Sequence, residues 1–261
     1  MILTNLTAIF RKEFQSYFSS PFAYIIAAVF WLIGGFFFSA ILEEMLQTLS
    51  FLEQSGQVSI PVDLQGQFIE SFFGVIISLL LVVLPALSMG LYSEERKRGT
   101  LELLATSPVT NWVVAVGKLL GVLAFFIVLM IPFWIYEIII FSNASPPINI
   151  NIILLSHGAL ILVATAILSL GMFISSLTDS GILAYILTFV SILFLWIMDA
   201  IASNLQEPFK SILSYLSLFD RYTDLVRGVL DISSLVLFTS YIFLGIFLTA
   251  QSIEAFRFQR S

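Results

Sequence analysis

The residues that could carry catalysis are few in this chain. It contains one histidine, no cysteine and a single Gly-Lys pair, Gly117-Lys118. An ATP-binding P-loop needs the pattern G-x-x-x-x-G-K-[ST], but here Trp112 stands at the first glycine position and Leu119 replaces the hydroxyl residue. His157 alone supplies neither a cysteine–histidine nucleophile pair nor the ligand set of a zinc site. The sequence therefore predicts no catalytic residue and no bound metal.

Glu137 is the ionisable residue whose position most favours a functional role. It follows Pro132 in a strongly apolar segment, and an ionisable residue in such a segment is a functional-site hypothesis by default. A helix starting at Trp112 rises about 1.5 Å per residue, which puts Glu137 about 37 Å along it. If this apolar helix crosses a membrane, Glu137 lies near the outer membrane–water interface. Glu137 is therefore either an interfacial anchor or part of a transport pathway.

Two further polar residues, His157 and Lys118, lie in apolar segments. His157 is either a packing histidine within its apolar segment or a member of a proton relay. Lys118 is predicted to extend from the start of an apolar segment to the inner headgroups of a membrane, because a lysine stem can run along apolar surface.

Gly117 and Gly121 form a G-x-x-x-G pair, which permits close helix packing and favours a contact within the chain over a dimer seam.

The composition identifies the elements that must position these residues. Hydrophobic residues make up 59% and charged residues 11% of the 261, against roughly 25% charged in soluble domains. This excess of apolar residues excludes a disordered chain and indicates an integral membrane protein. The formal net charge of −6 argues against a nucleic-acid partner.

The apolar segments predict an all-α membrane protein with six transmembrane helices. A helix needs about 20 apolar residues to cross a bilayer, and runs such as 75–84 lack the alternation of a transmembrane strand. The six predicted spans are about 22–41, 72–91, 112–141, 152–177, 181–201 and 232–256. Residues 1–20 are amphipathic and predict an interfacial helix against the lipid bilayer.

Lysine and arginine placement predicts the orientation. With the N-terminus inside, eight of the eleven basic residues fall on the cytoplasmic side. A multi-pass protein of the inner (plasma) membrane, with both termini cytoplasmic, is therefore expected. Residues 42–71 and 202–231 would form the two long outer loops.

The inner loop 93–111 carries the clearest local pattern. A charged cluster at 94–98 is followed by Gly99, which allows a sharp redirection, and by Thr100, which can cap a new helix. Glu102 suits the positive first turn of that helix, and Ser107-Pro108 ends it. Its leucines would lie either on the membrane surface or in a groove of a soluble partner.

At this loop the chain resembles the ABC-2 type transporter permeases. The resemblance rests on residues 95–104, on Thr106-Ser107-Pro108-Val109 and on Gly117-Lys118, and it extends over 1–261 as a single ABC-2 type transmembrane domain. Residues 216–220 with Gly228-Val229 are most similar to the gliding-motility-type permeases.

The resemblance implies a short cytoplasmic coupling helix that contacts an ABC ATPase subunit. The implied coupling residues are Glu94, Glu95, Arg96, Gly99, Thr100, Leu101, Glu102, Leu103, Leu104 and Thr106. It also implies a second permease chain, identical or different, and room for a further membrane or envelope subunit. ATP and magnesium would be cofactors of the partner ATPase, with no cofactor in this chain. Short re-entrant or outer helices would lie in 202–231.

The sequence therefore predicts the permease subunit of an ATP-driven exporter of unidentified substrate. One alternative is a non-transporting scaffold that passes ATPase motion to envelope partners, which would share the same coupling helix. The other is an ion-coupled secondary transporter. Such transporters usually show internal repeats and paired ionisable groups near the midplane, and neither is visible in this sequence.

Overall fold

A computed structural model describes residues 2–55, 64–101, 109–142, 150–202 and 205–258. These residues form helices joined by short connections, and no strand occurs among them. The helices that lie wholly within these ranges are α1 Ile2–Phe18, α2 Pro21–Gln54, α3 Leu64–Ser88, α4 Gly90–Lys97, α5 Asn111–Phe141, α6 Ile150–Leu177, α7 Gly181–Ala202, α8 Phe209–Leu216, α9 Leu218–Val226 and α10 Ile232–Phe258.

Six of these segments are long and apolar enough to cross a membrane, which confirms the predicted number. They are α2, α3 continued by α4, α5, α6, α7 and α10. The first outer loop differs from the expectation, because α2 continues to Gln54 and α3 begins at Leu64. Residues 42–54 contain no proline or glycine and consist mainly of good helix formers, so the helix persists where the apolar run ends.

The helix α6 lies at the centre of the bundle and contacts α3, α4, α5, α7, α9 and α10. Its buried face is rich in small residues, among them Ala164, Ser169 and Gly171. Such residues let neighbouring backbones approach closely in a membrane, where packing replaces the hydrophobic effect between helices. A Cβ added at Gly245 of α10 would lie 2.6 Å from the carbonyl carbon of Ser169, so this crossing requires glycine.

The bundle has two distinct ends, here called the α4 end and the α9 end. The α4 end contains α1, α4 and the turn between α6 and α7, and the α9 end contains α8 and α9. The short helix α9 is fixed by the Tyr222 hydroxyl, which donates to the Phe73 carbonyl of α3 at 3.1 Å. The implied short helices within 202–231 are therefore present as α8 and α9.

Candidate coupling site at the α4 end

The helix α4 ends in a glycine-dependent turn. Gly99 has φ +70°, a conformation that favours glycine. The Thr100 amide donates to the Glu95 carbonyl at 2.9 Å, and the Gly99 amide donates to the Arg96 carbonyl at 3.1 Å. This pair of bonds is the Schellman pattern of helix C-termini. The expected sharp redirection at Gly99 is therefore present.

The chain leaves this turn through Leu101, which is buried. Four of the sequence-predicted coupling residues come directly after it. These residues, Glu102, Leu103, Leu104 and Thr106, lie outside the residues that the structure describes. The described part of the site is thus the helix α4 and the turn at Gly99. They lead into residues 102–106, which we call the coupling segment.

The start of α4 is anchored to the central helix α6. The Ser175 hydroxyl accepts hydrogen bonds from the Tyr92 and Ser93 amides, both at 3.1 Å, and donates to the Met89 carbonyl at 2.7 Å. It thereby supplies a partner to the Tyr92 amide, one of those that a helix N-terminus leaves without partners, and it bridges the Ser93 amide to the Met89 carbonyl four residues earlier. One turn further, the Arg96 guanidinium donates to the Ser176 carbonyl at 2.9 Å. Movement of α4 should therefore be transmitted to α6.

A buried ammonium group joins α4 to α1 and α5. The Lys118 Nζ atom of α5 lies 3.0 Å from Glu95 Oε1 and 3.2 Å from Glu13 Oε2, and it donates to the Leu91 carbonyl at 2.6 Å. These contacts occupy the three donors of the ammonium group. Lys118 is 3% exposed. We call Lys118, Glu13 and Glu95 the lysine cluster.

The prediction that Lys118 extends to the inner headgroups is therefore wrong. The stem could have run along apolar surface to the bilayer edge, but α1 folds against α5 and covers it. Glu13 and Glu95 then provide carboxylates within the protein, so the ammonium group does not need water or lipid phosphate.

The helix α1 packs directly on α5 through the glycine pair. A Cβ at Gly117 would lie 2.8 Å from Ile9 Cγ2, and one at Gly121 would lie 2.7 Å from Glu13 Cβ. The Tyr17 ring stacks on Phe125 with centroids 4.7 Å apart. The prediction that the glycine pair makes a contact within the chain is confirmed. One side of the predicted interfacial helix is therefore occupied by protein.

Leucine at position 121 is expected to push α1 away from α5. The new side chain would meet Glu13 and the Phe14 backbone, and overpacking of this kind typically costs about 2 kcal/mol. The Gly121→Leu variant should therefore unfold at a lower temperature in detergent. It should also expose an engineered Ile9→Cys thiol to a polar maleimide, since Ile9 faces α5.

Gly35→Leu is the matched control for this experiment. Gly35 lies in α2, and a Cβ there meets nothing within 4 Å. This variant should keep the unfolding temperature and the slow labelling of the parent protein. Equal effects of the two substitutions would show that the contact between α1 and α5 is not the cause.

Sequence reasoning missed Glu13 and Ser175 as site residues. A signal for Glu13 was present, because Ile9, Glu13 and Tyr17 recur at four-residue steps and so share one face of α1. A carboxylate on such a face indicates a buried cation opposite it. For Ser175 the sequence offers no comparable signal, since serines are frequent in the helix α6.

At the α9 end the structure brings together two residues that the sequence singled out separately. Glu137 Oε2 of α5 lies 3.3 Å from His157 Nε2 of α6. Glu137 is 3% exposed, so its side chain does not face the headgroups as an interfacial anchor would. Its other proposed role, in a transport pathway, stays a prediction.

Comparison with known proteins identifies one family. The chain matches the family described as ABC-2 family transporter protein over residues 7–261, nearly its whole length. No curated protein matches it. Together with the six potential membrane spans, this match shows that the chain belongs to the ABC-2 family of transporter proteins.

Proposed function

We propose that the chain is the permease subunit of an ATP-binding-cassette exporter and receives the motion of a separate ATPase through residues 94–106. The observation that carries this proposal is the anchoring of α4. The helix that leads into the predicted coupling segment is bonded to α6 through Ser175 and to α1 and α5 through the lysine cluster.

In the proposed mechanism α4 moves together with the ends of α1, α5 and α6. ATP-driven closure of two ATPase subunits moves the segment after Gly99, and the turn at Gly99 passes this displacement to α4. Because α4 has hydrogen bonds or ion pairs to α5 and α6, and an ion pair from Glu95 to Lys12 of α1, it cannot move without shifting the ends of these three helices. The two permease chains then rearrange at their interface and open a path for the substrate.

The family membership supports the other parts of the assembly. ABC-2 permeases are membrane components without an ATP site of their own, which fits a chain that is not itself an enzyme. We assign ATP and magnesium to the partner ATPase, the α4 end to the cytoplasm, and the chain to the inner membrane. The resemblance of residues 216–220 to gliding-motility-type permeases makes that subgroup our proposal for its relatives.

Purification in mild detergent from the native membrane tests the proposal. The chain is expected to co-purify with a protein that carries a P-loop and hydrolyses ATP. The complex is expected to contain two copies of the permease chain. Purification of the chain alone from several detergents would contradict the assignment. Mass spectrometry of the purified material distinguishes these results.

A further inference from the structure

We propose that Glu137 and His157 form a buried proton-binding site, in which one proton lies between the carboxyl group and the imidazole and joins α5 to α6 at the α9 end. This site is separate from the coupling site, and the inference does not depend on an ATPase partner. Its ligand is a proton, and its two protein groups belong to different membrane-spanning helices.

The hydrogen bonding of His157 determines where the proton must lie. Its Nδ1 atom is 2.9 Å from the Ile153 carbonyl, an acceptor, so Nδ1 carries a hydrogen. In the neutral imidazole Nε2 then has a free lone pair, and this atom faces Glu137 Oε2 at 3.3 Å. A carboxylate facing a lone pair would be repelled, whereas a protonated carboxyl group can donate to it.

The surroundings favour the neutral form of the pair. The Phe73 ring lies edge-on to the imidazole with centroids 4.9 Å apart, and the Trp134 ring lies 5.7 Å away. A charge taken out of water into such surroundings is costly unless it is paired and hydrogen-bonded. With one proton, held on the carboxyl group, both partners are neutral.

Three polar atoms at this place lack hydrogen-bond partners. Glu137 Oε1, Trp134 Nε1 and His157 Nε2 are buried and make no hydrogen bond in the described structure, so a proton on the carboxyl group would supply the partner that Nε2 lacks. Trp134 and Glu137 are three residues apart on α5 and therefore share a face. An unpartnered acceptor, an unpartnered donor and the unpartnered imidazole nitrogen thus lie close together, which is unusual for side chains that only fill space.

The charged groups on the neighbouring helices have other partners. Glu70 of α3 accepts from Arg227 Nε at 3.0 Å, and Arg221 of α9 pairs with Asp231 at 3.3 Å. Asp220 and Asp224 interact electrostatically with Arg227, and the Tyr222 hydroxyl donates a hydrogen bond to the Phe73 carbonyl. Among the residues that the structure describes, Glu137 is the only acid within ion-pair distance of His157.

The single histidine allows a direct test on the full-length chain in lipid nanodiscs at neutral pH. Histidine labelled with nitrogen-15 gives the signals of His157 alone, and infrared spectroscopy detects a protonated carboxyl group. We expect the Nδ1–H form of the imidazole, an Nε2 atom that accepts a hydrogen bond, and one protonated-carboxyl band. In Glu137→Gln the band should disappear and the Nε2 signal should shift.

Glu70→Gln is the matched control, since it removes an exposed carboxylate from the same end of the bundle. It should leave both the band and the Nε2 signal unchanged. Absence of the band from the parent protein would overturn the proposal. So would a band that persists in Glu137→Gln. The spectra of the parent protein alone decide the first point, so the test holds even if the variant does not fold.

Discussion

Methionine in place of Lys118 should release α1 and α4 from α5 and lower the free energy of unfolding by about 3 kcal/mol. Methionine keeps an unbranched side chain but removes the charge and all three donors. Glu13 and Glu95, whose side chains are 14% and 18% exposed, would then lose their buried cation, and only the exposed Lys12 would remain beside Glu95. Breaking a buried ion pair on one side costs about 3–5 kcal/mol, and the residual exposure of the carboxylates favours the lower value. Thermal unfolding in detergent measures the effect.

Lys12→Met provides the matched control for this prediction. Lys12 also lies near Glu95, at 3.6 Å, but its side chain is 75% exposed. Exposed pairs contribute about 0–1 kcal/mol, so this variant should unfold almost as the parent does. Adding Glu13→Gln and Glu95→Gln to Lys118→Met should restore part of the lost stability, because it removes the uncompensated charges. Equal losses for the two lysine variants would contradict the role of the lysine cluster.

Aspartate at both Leu103 and Leu104 should abolish ATPase binding while leaving membrane insertion intact. Burial of one leucine side chain is worth about 1.5–3 kcal/mol, so two leucines that enter a groove contribute at least about 3 kcal/mol. This loss alone weakens binding about a hundredfold, and buried carboxylates weaken it further. The amount of ATPase recovered with the purified chain measures the effect.

A pair of exposed apolar residues elsewhere controls for the added charge. Ile2 and Leu3 are adjacent, lie at the α4 end and are exposed. The variant Ile2→Asp, Leu3→Asp should retain the ATPase. If this variant lost the ATPase as completely as the Leu103, Leu104 variant did, the effect would reflect charge near the membrane and not the coupling segment.

The local features of this chain could be predicted because each depends on neighbouring residues. Uninterrupted apolar runs determine the spans, and the requirement for a positive φ identifies Gly99 as the end of α4. The close approach allowed by Gly117 and Gly121 follows from their spacing. The helix α2 extends beyond its predicted span, to Gln54, because hydrophobicity shows where a helix meets lipid but not where it ends.

The partners of Lys118 and Glu137 could not be predicted from their spacing. Lys118 contacts Glu13, which is 105 residues away, because α1 folds back onto α5. Glu137 meets His157 because α5 and α6 are neighbours whose relative register brings these two residues together. A single sequence carries no information on such registers, so both residues were identified as unusual but not as members of a pair or cluster.

Cross-linking from Leu103 tests the central claim most directly. The chain has no cysteine, so Leu103→Cys provides one attachment point for a photoreactive maleimide, and Phe51→Cys at the α9 end of α2 provides the control. In native membranes we expect light to link Leu103→Cys to a P-loop ATPase, whereas Phe51→Cys should not be linked to it. Links from Leu103→Cys to lipid alone, or to a protein without a P-loop, would contradict the assignment of this chain as an ATPase-coupled permease.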